Sequence, residues 1–461
     1  MIYLEGYAGK HIKVVRLLLF TAVMSFILIP AVINGMPDGI QQAAEKVTLT
    51  EEDRAAIVEQ TALFMEENYV FPDKGRLIGN YIREQQRMGR YSSFDNPLDF
   101  ADVVTADLKT KSTDSHLALE YNPVSTGTAV RRRQLNDPGF SIGYNFGFQK
   151  IERLTGNIGY LDLRGFDIDL NPEAKKTAVS AMSILANSRA IIIDLRKNPG
   201  GTGGMANMIA SYFFGDEPIH LLSNTSRFKG KENTRESWTL KELEGRRLPN
   251  VPLYLLIGGG TASAAEHFVF GLKGQDRAVL LGETTAGAGH NVAYIPINEY
   301  FRCKVSIGRT YDPKTGEGWE GVGIKPHIEV PVEKALERAH LEALKALIAG
   351  SKNDTQKSEL EWFFPIVKAL YESVEVEGAR LRTLAGKYGV RTFTYEDGGL
   401  FYSREGRRGS FRLMPISQDR FILPHIDNQI LQFVSNSEGK VAELRILHQD
   451  GQVQNIPRDA E

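Results

Sequence analysis

Residues 251–273 constrain this chain more than any other stretch. Val251-Pro252-Leu253-Tyr254-Leu255-Leu256-Ile257 is a continuous apolar run that reads as a buried strand. Ala264-Ala265-Glu266-His267-Phe268-Val269-Phe270-Gly271-Leu272-Lys273 reads as a helix. Only the small-residue turn Gly258-Gly259-Gly260-Thr261-Ala262-Ser263 separates them. A buried strand passing directly into a helix belongs to an α/β sheet. It places Ser263 at a helix N-terminus, where unpaired N–H groups and the positive end of the macrodipole converge. A serine there either caps the helix or attacks a carbonyl.

The neighbouring sequence extends the same texture. Strand candidates at 158–163, 190–195 and 278–282 alternate with helical stretches at 172–188 and 204–214. Apolar strands alternating with helices imply a sheet covered on both faces. From Thr48 to Tyr121 the pattern is helical instead, with three amphipathic segments (55–69, 75–88 and 97–111) broken at Pro72. Lys334 to Ala349 is a closing amphipathic helix, and Ser351 to Thr355 reads as a linker. After a helical stretch to Leu384, short alternating segments from Thr392 to Val453 are punctuated by Asp397-Gly398-Gly399, Glu438-Gly439 and Asp450-Gly451. The expected organisation is a helical N-terminal domain over 46–125, an α/β core over 129–350 and a small antiparallel β-rich domain over 356–461. The fold class is therefore α/β in a multidomain α+β arrangement.

Lys10, Lys13 and Arg16 precede an apolar run from Leu17 to Ile33. Residues 1–36 thus read as a signal peptide or an N-terminal anchor. The run is interrupted by Thr21, Ser25 and Pro30, and is short for a span of about 20 residues. Ala31-Val32-Ile33-Asn34-Gly35-Met36 offers no A-x-A cleavage site. The expectation is an exported protein, periplasmic or extracellular, tethered to the membrane if the segment is retained.

Composition excludes several classes. The formal net charge of -2 gives no global field for nucleic acid. The basic runs Arg131-Arg132-Arg133 and Arg407-Arg408 are short enough to read as solvated loops. A single cysteine, Cys303, excludes an intrachain disulfide. Its setting, Phe301-Arg302-Cys303-Lys304-Val305, alternates like a strand and suits a small buried residue. The histidines show no HxxxH spacing, so neither a metal nor another cofactor is expected.

A serine nucleophile needs a base, a group that orients the base, and an oxyanion hole. His116, in Thr113-Asp114-Ser115-His116-Leu117, is one candidate base. His290, ending the Gly-rich loop Thr285-Ala286-Gly287-Ala288-Gly289-His290, is another candidate base or a substrate contact. His267 sits on the helix of Ser263 itself. Near its ordinary pKa a histidine is mostly free base at neutral pH. Asp194, Arg196 and Asn198 read as groups that hold the Gly200-Gly201 loop.

Four motifs in order (Asp194-Leu195-Arg196-Lys197-Asn198-Pro199-Gly200-Gly201, Thr261 to Glu266, Gly282-Glu283-Thr284-Thr285, and Gly318-Trp319-Glu320-Gly321-Val322-Gly323-Ile324-Lys325-Pro326) resemble the S41 serine peptidases. That family includes the tail-specific, or C-terminal processing, proteases. The likeness covers Thr48 to Val332 and is strongest to the branch of the interphotoreceptor retinoid-binding protein repeats and the tricorn core. It implies a ClpP/crotonase-like α/β core and a serine-type peptidase acting on a peptide or protein through an acyl-enzyme, without a cofactor. In tail-specific proteases the base is a lysine in the Gly-rich loop, and this loop has none. The tricorn-like pattern implies Ser263 as nucleophile, His116 as base, and Glu320 and Ser115 as its orienters. It also implies an oxyanion hole from the backbone of Gly200 or Gly201 and Ala264. The stretch from Asn122 to Gly156 is too short for the PDZ domain of the tail-specific proteases. The retinoid-binding relatives imply an alternative, a non-catalytic binder of a peptide or apolar ligand, against which the presence of both Ser263 and His116 counts.

Overall fold

The computed structural model describes residues 47–112, 114, 116–122, 143–166, 171–424 and 426–460. Residues 1–36, which read as a signal peptide or anchor, and Ser115 lie outside the described residues.

In chain order the elements begin with α1 (Glu51–Asn68), α2 (Pro72–Arg87), α3 (Pro97–Thr110) and β1 (Ala118–Tyr121). Then come β2 (Phe148–Leu154), β3 (Ile158–Leu163), α4 (Pro172–Leu185), β4 (Ala190–Asp194), α5 (Gly203–Ser211), β5 (His220–Phe228) and β6 (Lys231–Trp238). After them come β7 (Leu253–Ile257), α6 (Ala264–Lys273), β8 (Val279–Gly282), β9 (His290–Pro296), β10 (Phe301–Tyr311) and β11 (Ile328–Glu329). Helices α7 (Ala335–Gly350), α8 (Asp354–Tyr371) and α9 (Gly378–Leu384) lead into strands between Gly386 and Pro457, which form two further antiparallel sheets.

The N-terminal helices start where their sequence satisfies the free N–H groups. Thr50 and Asp53 form a reciprocal capping box: the Asp53 N–H donates to Thr50 Oγ1 at 3.1 Å and the Thr50 N–H donates to Asp53 Oδ2 at 2.9 Å. Helix α2 begins at Pro72 itself rather than at Gly75, because proline at the first helical position gives up an N–H that has no partner anyway. The stretch to Tyr121 is not helical to its end. Residues 118–121 form a strand whose alternate side chains, Leu119 and Tyr121, turn inward. Strand β1 pairs antiparallel with β10, Leu119 opposite Cys303. Ile57, Ile78, Phe100 and Leu108 share one core with Phe301, Cys303 and Val305, so the helices cover a face of this antiparallel sheet. Cys303 is fully buried there, and burial pushes its thiol pKa up.

That sheet runs β1-β10-β5-β6, with β9 also paired to β10. Strands β5 and β6 escape a reading by apolar pattern. All but one residue of Lys231–Trp238 is exposed, so the sequence carries no buried face to detect.

The central sheet has the order β11-β8-β7-β4-β3-β2. Strands β3, β4, β7, β8 and β11 are parallel, and β2 joins the edge antiparallel. The central strands β4 and β7 are near-continuous apolar runs, buried throughout, because both faces are covered. Ile191, Ile193 and Leu255 pack with Met182, Ile209 and Phe268 of α4, α5 and α6. The intervening Ile192, Tyr254 and Leu256 pack with Ala339, Leu344 and Phe363 of α7 and α8.

Since β4, β7 and β8 are adjacent and parallel, the loops that leave their carboxyl ends emerge along one edge, where open α/β sheets hold their ligands. Those loops are the Gly200-Gly201 segment, the Ser263 turn and the Gly-rich loop to His290. Gly201 makes a parallel bridge with Phe166 at φ +137°, and a Cβ there would collide with the Phe166 carbonyl. Gly201→Ala should cost about 1–3 kcal/mol through backbone strain. Gly203→Ala, where a Cβ meets nothing nearer than His267 at 4.0 Å, should shift stability by less than about 0.5 kcal/mol. Urea unfolding of both variants checks this, and equal midpoints would refute it.

Candidate active site

The Ser263 turn is held from below by side chains that the sequence places in the loops beside it. Asn198 is fully buried; its amide donates to the Leu163 carbonyl at 3.0 Å and its Oδ1 accepts the Gly200 N–H at 2.9 Å. Its carbonyl accepts the Ala262 N–H at 3.0 Å. The Thr261 hydroxyl donates to the Leu195 carbonyl at 2.8 Å. Asp194 and Arg196 form a bidentate pair, and the Tyr160 hydroxyl donates to Asp194 at 2.8 Å. These residues brace the loop, as their sequence setting implies.

Ser263 itself is exposed and has φ +53° and ψ -119°. An ordinary helix-capping serine sits in the extended region. This backbone is instead one that side chains with a Cβ rarely adopt, and strain of that kind needs outside support. Gly200 packs directly against it, since a Cβ on Gly200 would lie 2.9 Å from the Ser263 Cβ. The Gly200 N–H is taken by Asn198. In the parallel bridge, Phe166 N–H donates to the Gly200 carbonyl and Thr202 N–H to the Phe166 carbonyl, so the Gly201 N–H points away from Phe166. Of the two glycines, Gly201 therefore has the N–H that remains to offer, beside the unsatisfied first-turn N–H of Ala264.

The support comes from Glu266, which is fully buried. Its Oε2 accepts the Ser263 N–H at 2.9 Å and the Ala288 N–H at 2.8 Å. Its Oε1 accepts the Gly287 N–H at 2.7 Å and the Thr285 hydroxyl at 2.6 Å. Among the described residues no cation pairs with it. Four donors and the N-terminal end of α6 stabilise the charge instead. The sequence marks Glu266 only as a residue of local helix or loop role; three of its four partners come from a loop some 20 residues on, which is a tertiary fact.

A second carboxylate continues the pattern. Glu320 Oε2 accepts the Gly289 and His290 N–H groups, each at 2.8 Å. Its other oxygen lies 3.0 Å from His116 Nδ1. Asp114 completes the group, with Oδ1 3.2 Å from His116 Nδ1 and Oδ2 2.9 Å from His290 Nδ1. Carboxylates only accept, so both Nδ1 atoms carry protons and both Nε2 atoms are the positions left for proton exchange. The hydrogen bonds from Asp114 and then Glu320 raise the His116 pKa to about 9, against the opposing effect of burial. The imidazole is thus mostly cationic at pH 7, unlike the free base expected from an unperturbed histidine. Burial pulls the Asp114 pKa up, but the two histidines outweigh it and hold this carboxyl well below the usual range.

Ser263, Ala264, Gly201 and His290 line one cavity of about 250 Å³. Asp114, Glu320 and His290 line a second, of about 180 Å³, so His290 is shared by both. No hydrogen bond joins Ser263 to either His116 or His290. His267 also lines the Ser263 cavity, but its Nε2 is bonded to Asn207 at 2.9 Å and burial lowers its pKa to about 4, which makes it a poor base. Asp114, His290 and Glu320 together offer ligand atoms at metal-binding separations. The carboxylate oxygens of Asp114 and Glu320 and the His290 Nδ1 already have hydrogen-bond partners, which suits positioning of the imidazoles.

Glu266→Gln puts an NH2 group against N–H donors. It should destabilise the protein by about 2–4 kcal/mol, the loss of charge-assisted hydrogen bonds at a buried site. Guanidinium unfolding measures the change, and a loss under 0.5 kcal/mol would show that the carboxylate is not holding the turn.

Residues 157–330 match the sequence model of peptidase family S41, and residues 39–139 match that of the N-terminal domain of peptidase S41 in eukaryotic IRBP. The chain is 29% identical over 180 residues to a carboxy-terminal-processing protease of Bartonella bacilliformis, covering 39% of this chain and 40% of that protein. It is 33% identical over 160 residues to a carboxyl-terminal-processing protease of a Synechocystis species, covering 34% of each. The chain thus spans about two fifths or less of these relatives' lengths. Among solved structures, a photosystem II D1 C-terminal processing protease aligns with 62% of this chain and 94% of its own at 15% identity and a TM-score of 0.42. The tricorn protease aligns with 66% of this chain and 37% of its own at 12% identity and a TM-score of 0.40. The core over 157–330 and the N-terminal region over 39–139 are thus each matched by a model of peptidase family S41.

Proposed function

We propose that this protein is an exported serine peptidase that cleaves peptide or protein substrates through a covalent acyl-enzyme on Ser263. The observation that carries the reading is the exposed, conformationally strained Ser263, buttressed by Gly200 and Glu266, in one cavity with an imidazole. The Ser263 hydroxyl attacks the scissile carbonyl, its proton passes to a histidine Nε2, and the N–H groups of Gly201 and Ala264 receive the developing oxyanion. His116 is the base in this reading. Glu320 and Asp114 hold its Nδ1 proton and favour the imidazolium that forms on proton transfer, with Ser115 as a further assistant. The imidazolium passes that proton to the leaving amine as the C–N bond breaks; water then attacks the acyl carbonyl, giving its proton to the same Nε2, which returns it to the Ser263 oxygen as the acid product leaves. No step calls for a metal or cofactor.

His290 is a second reading for the base, favoured by its place in the Ser263 cavity and its 2.9 Å bond to Asp114. The apolar run at 17–33, outside the described residues, supports export with a cleaved signal or a retained tether. Among the described residues no helix is long and apolar enough to cross a membrane.

Ser263→Ala should lower peptide hydrolysis by roughly 10⁴-fold or more and abolish fluorophosphonate labelling, with an unchanged circular dichroism spectrum. Undiminished turnover in that variant would end the proposal. Loss of activity in His116→Ala with retention in His290→Gln assigns the base to His116, and the reverse pattern assigns it to His290.

The reaction needs the unprotonated imidazole, so with His116 as base kcat/KM should climb about tenfold per pH unit and level off near pH 9. Glu320→Gln removes a group that raises this pKa, so its rising limb should move to lower pH. A limb that stays in place would separate Glu320 from the titrating group.

A further inference from the structure

The Ser263 cavity has a charged wall that the chemistry above does not use. Strands β10, β5 and β6 lie side by side, with Thr310 opposite Asn224 and Asn224 opposite Arg235. In antiparallel pairing, directly opposed residues point to the same face. All three residues line the cavity with Ser263, Ala264 and Gly201. The middle of the row is fixed: the Asn224 amide donates to Thr310 Oγ1 at 3.0 Å and to Asn291 Oδ1 at 2.7 Å. Arg235 at the end of the row forms no ion pair or hydrogen bond among the described residues. It is also the only Arg, Lys, Asp or Glu among the residues that line this cavity. The cavity is also lined by Trp319, whose buried indole N–H has no partner among the described residues. A buried donor without an acceptor costs free energy until something supplies one.

We propose that Arg235 is a specificity residue that binds a carboxylate of the peptide in the Ser263 cleft. The inference rests on the peptidase reading of that cleft. A guanidinium with its five donors free matches a carboxylate in bidentate geometry, and the absence of acidic side chains in the cavity leaves the substrate to supply the counter-charge. The carboxylate comes from the substrate's free C-terminus or from an acidic side chain near the scissile bond. Thr310, whose N–H donates to the Gly289 carbonyl at 3.4 Å, stands at the Gly-rich-loop end of the row and Arg235 at the other, so the charge is read beside the reacting carbonyl rather than at it.

The test uses the whole protein and N-terminally fluorescein-labelled octapeptides of one neutral sequence. One peptide ends in a carboxylate and one in an amide. Two further amide series carry a single Glu or a single Gln at each internal position in turn. The expected result is a kcat/KM about tenfold higher for the carboxylate than for its neutral partner, equivalent to about 1.4 kcal/mol. Preference for the free terminus identifies the C-terminus as the source, and preference for one Glu position identifies a side chain. Arg235→Gln should collapse the preferred ratio to within about twofold, and Arg235→Lys should keep part of it. The ratio should also shrink between 50 mM and 500 mM salt, since the guanidinium is exposed.

Fluorescence anisotropy of the same peptides on Ser263→Ala protein reads the preference without turnover. Ratios near one in every pair, or ratios that survive in Arg235→Gln, overturn the proposal even if peptides are cleaved, and the peptidase reading then stands alone. Peptide binding that depends on carboxylate and on Arg235, in a protein with neither hydrolysis nor fluorophosphonate labelling, supports the carboxylate site and ends the peptidase reading instead.

Discussion

Four successive backbone N–H groups, from Gly287 to His290, are bound by two carboxylates, and the arrangement of the candidate site depends on that division. Glu266 takes the N–H groups of Gly287 and Ala288, while Glu320 takes those of Gly289 and His290. Consecutive N–H groups converging on anions form a concave, positively polarised backbone. Here the anions are the protein's own. Each carboxylate also holds one half of the chemistry, the Ser263 N–H for Glu266 and the His116 imidazole for Glu320. The loop thus fixes the distance between nucleophile and imidazoles through hydrogen bonds alone. Its glycines are part of that fit: Gly287 has φ +80°, and a Cβ on Gly289 would approach the Glu320 backbone nitrogen to 3.0 Å.

The two halves come from different sheets. The carboxyl ends of β4, β7 and β8 carry the glycine loop, Ser263 and the Gly-rich loop, all from the parallel sheet. His116 precedes β1 and His290 opens β9, and both strands pair with β10 in the antiparallel sheet. The N-terminal helices pack on that sheet through Phe301, Cys303 and Val305, so their role is to seat the strand that leads out of His116. Removing either sheet would leave a nucleophile without a base or the reverse.

The parallel strands were legible because they are buried on both faces, and the helices because caps such as Thr50 and Asn96 mark their starts. Motif order singled out Ser263, His116 and Glu320; the fold brings His116 and Glu320, 204 positions apart, to 3.0 Å, while no hydrogen bond joins Ser263 to His116. What the sequence concealed has physical reasons. Strand β6 is polar and exposed, β5 buries Leu221, Leu222, Ser223 and Arg227 without a period-two apolar pattern, and β1 follows directly on three helices. Asp114 is a lone acid two residues from a histidine, and nothing local indicates that it also reaches His290. The free-base state expected of His116 failed because a pKa depends on neighbours that only folding supplies.

That pKa ties stability to activity in opposite directions. His116 is raised above 6.5 in the folded state, so its bonds to Asp114 and Glu320 contribute fully below pH 6.5 and are lost as pH climbs through about 9. Asp114 is depressed below 3.8, so its contribution is present above that value and lost as pH falls through the folded one. The cluster is therefore held most firmly between about pH 4 and 6.5, where His116 is an imidazolium and cannot accept a proton. Proton acceptance needs the higher pH at which part of that hold is given up. In the reading with His116 as base, a resting site of this kind is locked by the same proton that silences it.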